Sequence, residues 1–152
     1  MEGWKLGYLA GMIDGEGNIS IFKALAPSRN LTFRPSIRIG NTNCDSLQFL
    51  QTEFGGTLYL TPKQFGKDAY ILSWYGTKAQ ELLKLISDKL IIKKKQALLF
   101  ISFPLSPTNR KQIAKEEQIL RESIYLQIKE LNKRNVLEVT FTDVEEPLLD
   151  TD

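Results

Sequence analysis

The stretch of sequence that decides the fold is GYLAGMIDGEG, residues 7–17. The spacing of Leu6, Leu9 and Ile13 predicts a helix over residues 4–14 with one apolar side. A second side of this helix carries small residues and one acid, namely Gly3, Gly7, Ala10, Gly11 and Asp14. Such a side lets another backbone approach closely, and that backbone belongs either to the protein's own sheet or to a second chain.

Downstream of this helix, alternating sequence predicts four strands in two hairpins, separated by a second helix. The strands are expected at residues 18–24, 32–39, 57–61 and 69–75. Asn43 or Asp45 is expected to cap the intervening helix, which Gly55 and Gly56 should end. Pro35 within the second strand favours an edge position for that strand.

Three further helices are expected in the second half of the chain. They are predicted at residues 77–88, at residues 93–103, and as a long C-terminal helix with an apolar stripe. Residues 136–141 are predicted to be extended. The stripe of the long helix consists of Ile113, Leu120, Ile124, Ile128 and Leu131. This order of elements indicates one α+β domain spanning residues 1–152, with a four-stranded antiparallel sheet and helices on one face.

The composition excludes several kinds of chemistry. The 152 residues contain no histidine and one cysteine, which excludes a Ser/His/Asp triad, a histidine-ligated zinc site and an intrachain disulfide. No apolar run approaches the roughly 20 residues that a membrane-spanning helix needs. We therefore expect no membrane partner and an intracellular, reducing compartment, either the cytoplasm or an organelle.

The net charge of +2 conceals an uneven distribution. Residues 143–152 contain five acids and no base, so residues 1–142 carry an excess of seven bases. A basic body with a short acidic tail suggests a polyanion as partner, although an ordinary solvated surface is the alternative.

The segment Leu9-Ala10-Gly11-Met12-Ile13-Asp14-Gly15-Glu16-Gly17 resembles the signature of the LAGLIDADG homing endonucleases. It differs from the signature letters by Met12 for Leu, Gly15 for Ala and Glu16 for Asp, and the last change keeps the carboxylate. The order of elements along nearly the whole chain also resembles that family. Because the chain carries one copy of the signature, the resemblance is to the branch that acts as homodimers.

The resemblance implies a DNA endonuclease and assigns roles within it. In the family, signature helices of two halves pack side by side and each delivers one acid to the scissile phosphates. Carried over, Glu16 is the metal ligand, helped by the carbonyl of Gly15, and Asp14 is a structural residue at the helix end. The residues expected at the dimer interface are Gly7, Ala10, Gly11 and Asp14. The expected cofactor is Mg²⁺, with Mn²⁺ as a substitute, since hard oxygen ligands suit such ions.

Two further residues are candidates for catalysis by the same resemblance. Lys93, in the segment of residues 91–98, matches the family's lysine near the attacking water, whereas a solvated lysine cluster is the alternative. Asn41 follows the second strand where family members carry a polar residue that orients solvent, and turn chemistry within residues 40–43 is its alternative.

Strand alternation predicts a polar and basic sheet face that fits the major groove of double-stranded DNA, where arginine bonds guanine bidentately. Each of these residues has solvent exposure without a DNA role as its alternative. The face is expected to carry Asn18, Ser20 and Phe22, then Thr32, Arg34, Ser36 and Arg38, then Tyr59, Thr61 and Lys63, and finally Ile71 and Ser73. The loop residues expected at phosphates or outer flanks are Ser28, Arg29, Asn30, Gln64 and Lys67.

The sequence thus favours a homing endonuclease that cuts a long pseudo-palindromic site and leaves 3′ overhangs. The main alternative is a protein of the same fold that binds nucleic acid without cutting it, such as an intron RNA maturase or a regulator. A carboxylate at Glu16 favours the enzyme, because a pure binder has no need of an acid facing phosphate. A small α+β protein-interaction domain would explain the core but not the polar strand face.

Overall fold

The computed structural model describes residues 2–25, 31–61, 68–105 and 114–149, with residues 31 and 134–149 as backbone only. The described elements confirm an α+β fold in which two hairpins and five helices follow the predicted order. The helices are α1 Gly3–Glu16, α2 Cys44–Phe54, α3 Gly76–Ile86, α4 Lys94–Ser102 and α5 Lys115–Leu149. The strands are β1 Gly17–Leu25, β2 Leu31–Asn41, β3 Thr57–Thr61 and β4 Ala69–Tyr75.

The four strands form one antiparallel sheet in the order β1-β2-β4-β3. The central place of β2 shows that the expected edge position was wrong. Pro35 is tolerated because β4 pairs with β2 only from Ser36 to Asn41, so Pro35 lies beyond the end of β4. A proline at that point therefore removes no hydrogen bond between β2 and β4.

The helices cover one face of the sheet and enclose the core. Along α1, Leu9 and Ile13 are fully buried, as the helical spacing predicts. Alternate residues along the strands are apolar and contribute to this core. The buried indole N–H of Trp74 donates a hydrogen bond of 3.2 Å to the carbonyl of Phe54. The strand residues buried on this side are Ile19, Ile21, Ile37, Ile39, Leu72 and Trp74. The opposite face, called the open face below, carries the residues of the other parity.

The helix ends differ from the expectation at several places. Residues 136–141, predicted to be extended, are helical and belong to α5. Their β-branched residues lower helix propensity by only a few tenths of a kcal/mol each, and extending an existing helix avoids the cost of nucleating a new one. Ile124 and Ile128 are buried as expected, whereas Leu120 is exposed and Ile113 lies outside the described residues. No helix in the described part of the chain combines the length and apolarity that crossing a membrane requires.

The junction between α1 and β1 requires a residue without a side chain. A Cβ added to Gly17 would lie 2.7 Å from both the Cα and the carbonyl oxygen of Ile13, and backbone atoms cannot move aside cheaply. Gly17 therefore lets the chain turn directly from helix into strand.

We expect Gly17→Ala to destabilise the fold by about 1–3 kcal/mol, because the junction must shift to relieve the clash. Urea unfolding measures the loss. Gly40→Ala is the matched control, since its Cβ would meet only the carbonyl oxygen of Tyr70 at 3.9 Å. Equal stabilities of the two variants would contradict this account of the junction.

Candidate active site and nucleic-acid surface

The end of α1 presents the carboxylate of Glu16 at the surface. Its Oε2 accepts a hydrogen bond of 2.6 Å from Nδ2 of Asn41, the last residue of β2. The Oδ1 atom of Asn41 accepts the backbone N–H of Asn43 at 2.8 Å, so the amide is held with its NH₂ group toward Glu16. The structure therefore brings together two of the three residues expected to act in catalysis.

Asp14 anchors the third residue to the same helix end. Its carboxylate accepts the backbone N–H of Ile91 at 2.8 Å and that of Lys93 at 3.0 Å. The ammonium group of Lys93 donates a hydrogen bond of 2.7 Å to the main-chain carbonyl of Asp14. Asp14 therefore holds contacts within its own chain, in keeping with the structural role expected for it at the helix end, and its expected place in the dimer interface stays a prediction.

Lys93 lies half-buried immediately before α4. Burial lowers the pKa of its ammonium group, while the nearby negative charge of Asp14 opposes that shift. A lysine with a lowered pKa releases its proton more easily than a solvated lysine does, and its neutral amine is then able to accept one. Lys93 is thus distinguished from ordinary surface lysines by its contacts and by its environment.

The donor set at the end of α1 fits a divalent cation that is shared with a phosphate. Glu16 offers carboxylate oxygens, and Gly15 lies exposed beside it with its backbone carbonyl. Among the residues that the structure describes, no group of three or more acidic or cysteine side chains could hold a metal ion alone. Magnesium is commonly held by one or two carboxylates together with substrate phosphates, which matches one acid per chain.

One exposed strip of α1 consists of glycines. A Cβ added to Gly3, Gly7, Gly11 or Gly15 would meet nothing within 4 Å. Ala10, which the sequence had assigned to this side, is only 2% exposed and packs in the core. Consecutive side chains of a helix point in clearly different directions around its axis, so Ala10 can face the sheet while Gly11 faces solvent. Gly7 and Gly11 therefore remain the open positions of the predicted interface.

An aromatic cluster next to the glycines had not been predicted. Trp4 stacks on Phe49 of α2 with ring centroids 5.6 Å apart, and Tyr8 meets Phe49 edge-on at 5.7 Å. Trp4 is 59% exposed and Tyr8 is 39% exposed. Large exposed aromatic rings of this kind are enriched at protein interfaces. The spacing of Trp4 and Tyr8, four residues apart, is the sequence signal that could have indicated them.

The open face holds the predicted strand residues in cross-strand rows. Arg38 lies between Asn18 and Ser73, and Ser36 lies between Ser20 and Tyr75. The remaining predicted positions also lie on this face by strand register: Phe22, Thr32, Arg34, Tyr59, Thr61 and Ile71. Ser28, Arg29, Asn30, Lys63, Gln64 and Lys67 lie outside the described residues.

Two serines on this face are less accessible than the strand alternation implied. Ser36 is 0% exposed and Ser73 is 1% exposed. Neither hydroxyl is accessible to a ligand in the free protein, so their predicted role as direct contacts needs rearrangement of the residues above them.

Tyr75 is a functional candidate that the sequence argument missed. It lies on the open face directly opposite Ser36, and its ring lies 4.2 Å below the guanidinium carbon of Arg34. The same alternation that placed Ile71 and Ser73 on this face continues to position 75, which was the available signal. An aromatic ring thus supports one of the two arginines expected to contact DNA.

The fold resembles several solved structures. An archaeal intron-encoded homing endonuclease, I-Vdi141I, complexed with DNA, matches with a TM-score of 0.71 and 20% identity over 86% of each chain. The homing endonuclease I-CvuI, in complex with the I-CreI target in the presence of Mg, matches with a TM-score of 0.65 and 21% identity, over 86% of this chain and 94% of that one.

The LAGLIDADG homing endonuclease I-GzeII, in complex with its DNA target, matches with a TM-score of 0.56 and 15% identity, over 81% of this chain and 43% of that one. No protein-family model matches the sequence, and no curated protein sequence matches it significantly. The chain has the fold of the LAGLIDADG homing endonucleases.

Proposed function

We propose that the chain is a sequence-specific homing endonuclease that hydrolyses phosphodiester bonds of double-stranded DNA. The observation that supports this most is the arrangement at the end of α1, where Glu16 is held by Asn41 and Lys93 is tied to Asp14. A protein that only binds nucleic acid gains nothing from an exposed acid beside a basic surface, since that acid repels phosphate. The solved structures of similar fold are homing endonucleases with DNA, which supports the same activity.

The residues around Glu16 divide the work of hydrolysis. Glu16 and the carbonyl of Gly15 would hold a divalent cation, Mg²⁺ or Mn²⁺, which would supply Lewis-acid stabilisation of the phosphate oxygens. Asn41 holds the Glu16 carboxylate in one orientation, because its amide NH₂ group donates a hydrogen bond to that carboxylate. Burial lowers the pKa of Lys93. The amine of Lys93 accepts a proton from the attacking water or returns one to the leaving oxygen, and the Asp14 carbonyl orients this amine.

We further propose that the enzyme acts as a homodimer. One chain supplies one Glu16, whereas cutting both strands of DNA needs an acid at each of two phosphates. The exposed glycine side of α1 allows close approach of a second α1, and the adjacent rings of Trp4 and Tyr8 add apolar area. Such pairing gives two-fold symmetry, so the DNA site is pseudo-palindromic. A long site and 3′ overhangs are what the resemblance to the LAGLIDADG homing endonucleases implies.

The open face supplies the DNA contacts. Arg34 and Arg38 lie on the same face as Asn18 and Thr57, opposite the face of the sheet that buries the apolar strand residues against the helices. A twisted antiparallel sheet can enter the major groove, where the four base pairs present distinct donor and acceptor patterns. The base excess of residues 1–142 supports binding to the phosphate backbone.

We expect Glu16→Gln to abolish cleavage while leaving folding and DNA binding intact. The amide keeps the shape and can still accept the hydrogen bond from Asn41, but it loses the charge that holds a divalent cation. Strand scission and equilibrium binding are measured on the same samples. Glu81→Gln on the exposed side of α3 is the control and should cut normally. Substantial cutting by the Glu16 variant would remove Glu16 from the catalytic site, and a wild type that binds without cutting would favour the non-cleaving alternative.

Lys93→Met should reduce the rate of cleavage by roughly 10²–10⁴-fold, the range for loss of a proton-transfer group, with little change in DNA affinity. Lys94→Met is a matched control, because Lys94 is an exposed neighbour. Single-turnover rates at saturating protein separate the two variants. Equal rates for both would show that Lys93 is merely a structural contact of Asp14.

Gly11→Leu should produce folded monomers, because a Cβ at this exposed position meets nothing within 4 Å in the described chain, whereas a leucine there holds two α1 helices apart. Light scattering reports the mass and circular dichroism reports the folding. Lys78→Leu, which adds an exposed leucine on α3 instead, should leave the dimer unchanged. A Gly11→Leu protein that remains dimeric and fully active would place the interface elsewhere.

A further inference from the structure

Both described arginines of the open face are held against aromatic rings. The guanidinium carbon of Arg34 lies 4.2 Å from the centroid of the Tyr75 ring, and that of Arg38 lies 4.7 Å from the centroid of the Phe22 ring. Each contact joins neighbouring strands, since Tyr75 belongs to β4, Phe22 to β1 and both arginines to β2. The two pairs therefore form a layer over the middle of the sheet.

The open face also carries buried polar atoms that make no hydrogen bond within the described parts of the chain. They include the hydroxyl oxygens of Ser20 and Ser36 and the Nε atom of Arg38. Ser36 is 0% exposed, and a buried polar group without a partner normally destabilises a protein. These groups gain a partner only from outside the described chain, and Ser36 becomes accessible to one only when neighbouring side chains move.

The surroundings of Tyr75 are consistent with this arrangement. The nearby hydroxyl of Ser73 has the largest lowering effect on the pKa of the Tyr75 phenol, burial opposes it, and the guanidinium groups of Arg38 and Arg34 lower the pKa further. Both arginines therefore act electrostatically on the Tyr75 side chain, and Arg34 also contacts its ring directly.

We propose that Tyr75 and Phe22 are positioning residues that set the base preference of the DNA site by holding Arg34 and Arg38 in place before DNA binds. The inference rests on the proposed function and names the part of the surface that gives it specificity. The ligand chemistry is the O6 and N7 acceptor edge of guanine in the major groove, which a planar guanidinium recognises bidentately.

The physical advantage of the rings is preorganisation. A free arginine side chain loses rotamer entropy when it binds a base edge, whereas one already stacked on a ring loses less. The ring also fixes the plane of the guanidinium, and bidentate contact depends on that plane. A misaligned arginine still attracts phosphate, so removal of a ring should impair base discrimination more than total affinity.

The test is a selection of binding sites from randomised double-stranded DNA in EDTA, which keeps the DNA uncut. Wild type, Arg34→Ala, Tyr75→Leu and the double variant are compared for their preference at each base pair. We expect Arg34→Ala to reduce discrimination at one position of each half-site by about tenfold, and Tyr75→Leu to do so at the same position. The double variant should lose no more than Arg34→Ala alone, because Tyr75 acts through Arg34.

Three more variants make the test specific. Tyr75→Phe keeps the ring against Arg34 and should retain the wild-type preference at the position that Arg34→Ala identifies, which distinguishes ring support from loss of the hydroxyl. Phe22→Leu should relax preference at the position that Arg38→Ala identifies. Phe22 is 42% exposed, so its replacement leaves the core intact. Phe22→Leu therefore tests whether a ring positions an arginine even if Tyr75→Leu does not fold.

The outcomes separate this inference from the function on which it rests. A wild type that selects a defined site, with Tyr75→Leu and Phe22→Leu selecting the same bases equally well, overturns the positioning role and leaves the DNA-binding function intact. Uniform weakening at all positions likewise overturns it, because that pattern indicates phosphate contacts. A wild type that selects no sequence overturns the proposed function itself, and this inference with it.

Discussion

The arrangement of the site depends on two carboxylates in the last turn of α1. Asp14 turns inward and accepts two backbone N–H groups from the segment before α4, while Glu16 turns outward and accepts the amide of Asn41. Charge-assisted hydrogen bonds of this kind are stronger than neutral ones and fix direction as well as distance. Because Gly17 lets the chain enter β1 immediately after Glu16, these contacts join α1, β2 and α4 at one point.

The same geometry gives the two sides of the sheet different roles. One side is filled by apolar residues such as Ile19, Ile37 and Leu72 and is covered by helices. The other side carries arginines supported by rings and serines without hydrogen-bond partners among the described residues. A rigid core thereby supports a polar surface, which is how a binding site is held in a productive geometry. The glycine side of α1 is the surface on which the proposed dimer would place a second chain.

Much of this fold could be predicted from the sequence because periodicity reports burial directly. The alternation along β2 and the spacing of Leu9 and Ile13 identified the buried sides, and the structure confirms them. Pro35 led to the wrong prediction of an edge strand. Whether a proline disturbs a central strand depends on whether the neighbouring strand extends as far as the proline, and the local sequence does not contain that length. Ala10 misled because a helical wheel gives approximate angles, and the boundary between the core side and the exposed side falls between positions 10 and 11.

Candidate site residues could be predicted from the sequence only where they belong to a recognisable motif or to an alternating strand pattern. Glu16, Asn41 and Lys93 were named from the sequence, but their hydrogen bonds join segments far apart in the chain. Tyr75 required knowledge that β4 pairs with β2 at Ser36, since only that register brings its ring under Arg34. Sequence spacing within one strand contains no information about such a neighbour.

The central claim is that the chain cuts DNA at a defined site through the groups at the end of α1. Its most direct test incubates the protein with a pool of plasmids that carry randomised inserts, with Mg²⁺ or with EDTA, and sequences the cut ends. We predict breaks at one long sequence with approximate two-fold symmetry, with 3′ overhangs, in Mg²⁺ only. Ends that show no sequence preference, equal cutting in EDTA, or no cutting in either Mg²⁺ or Mn²⁺ would contradict the account.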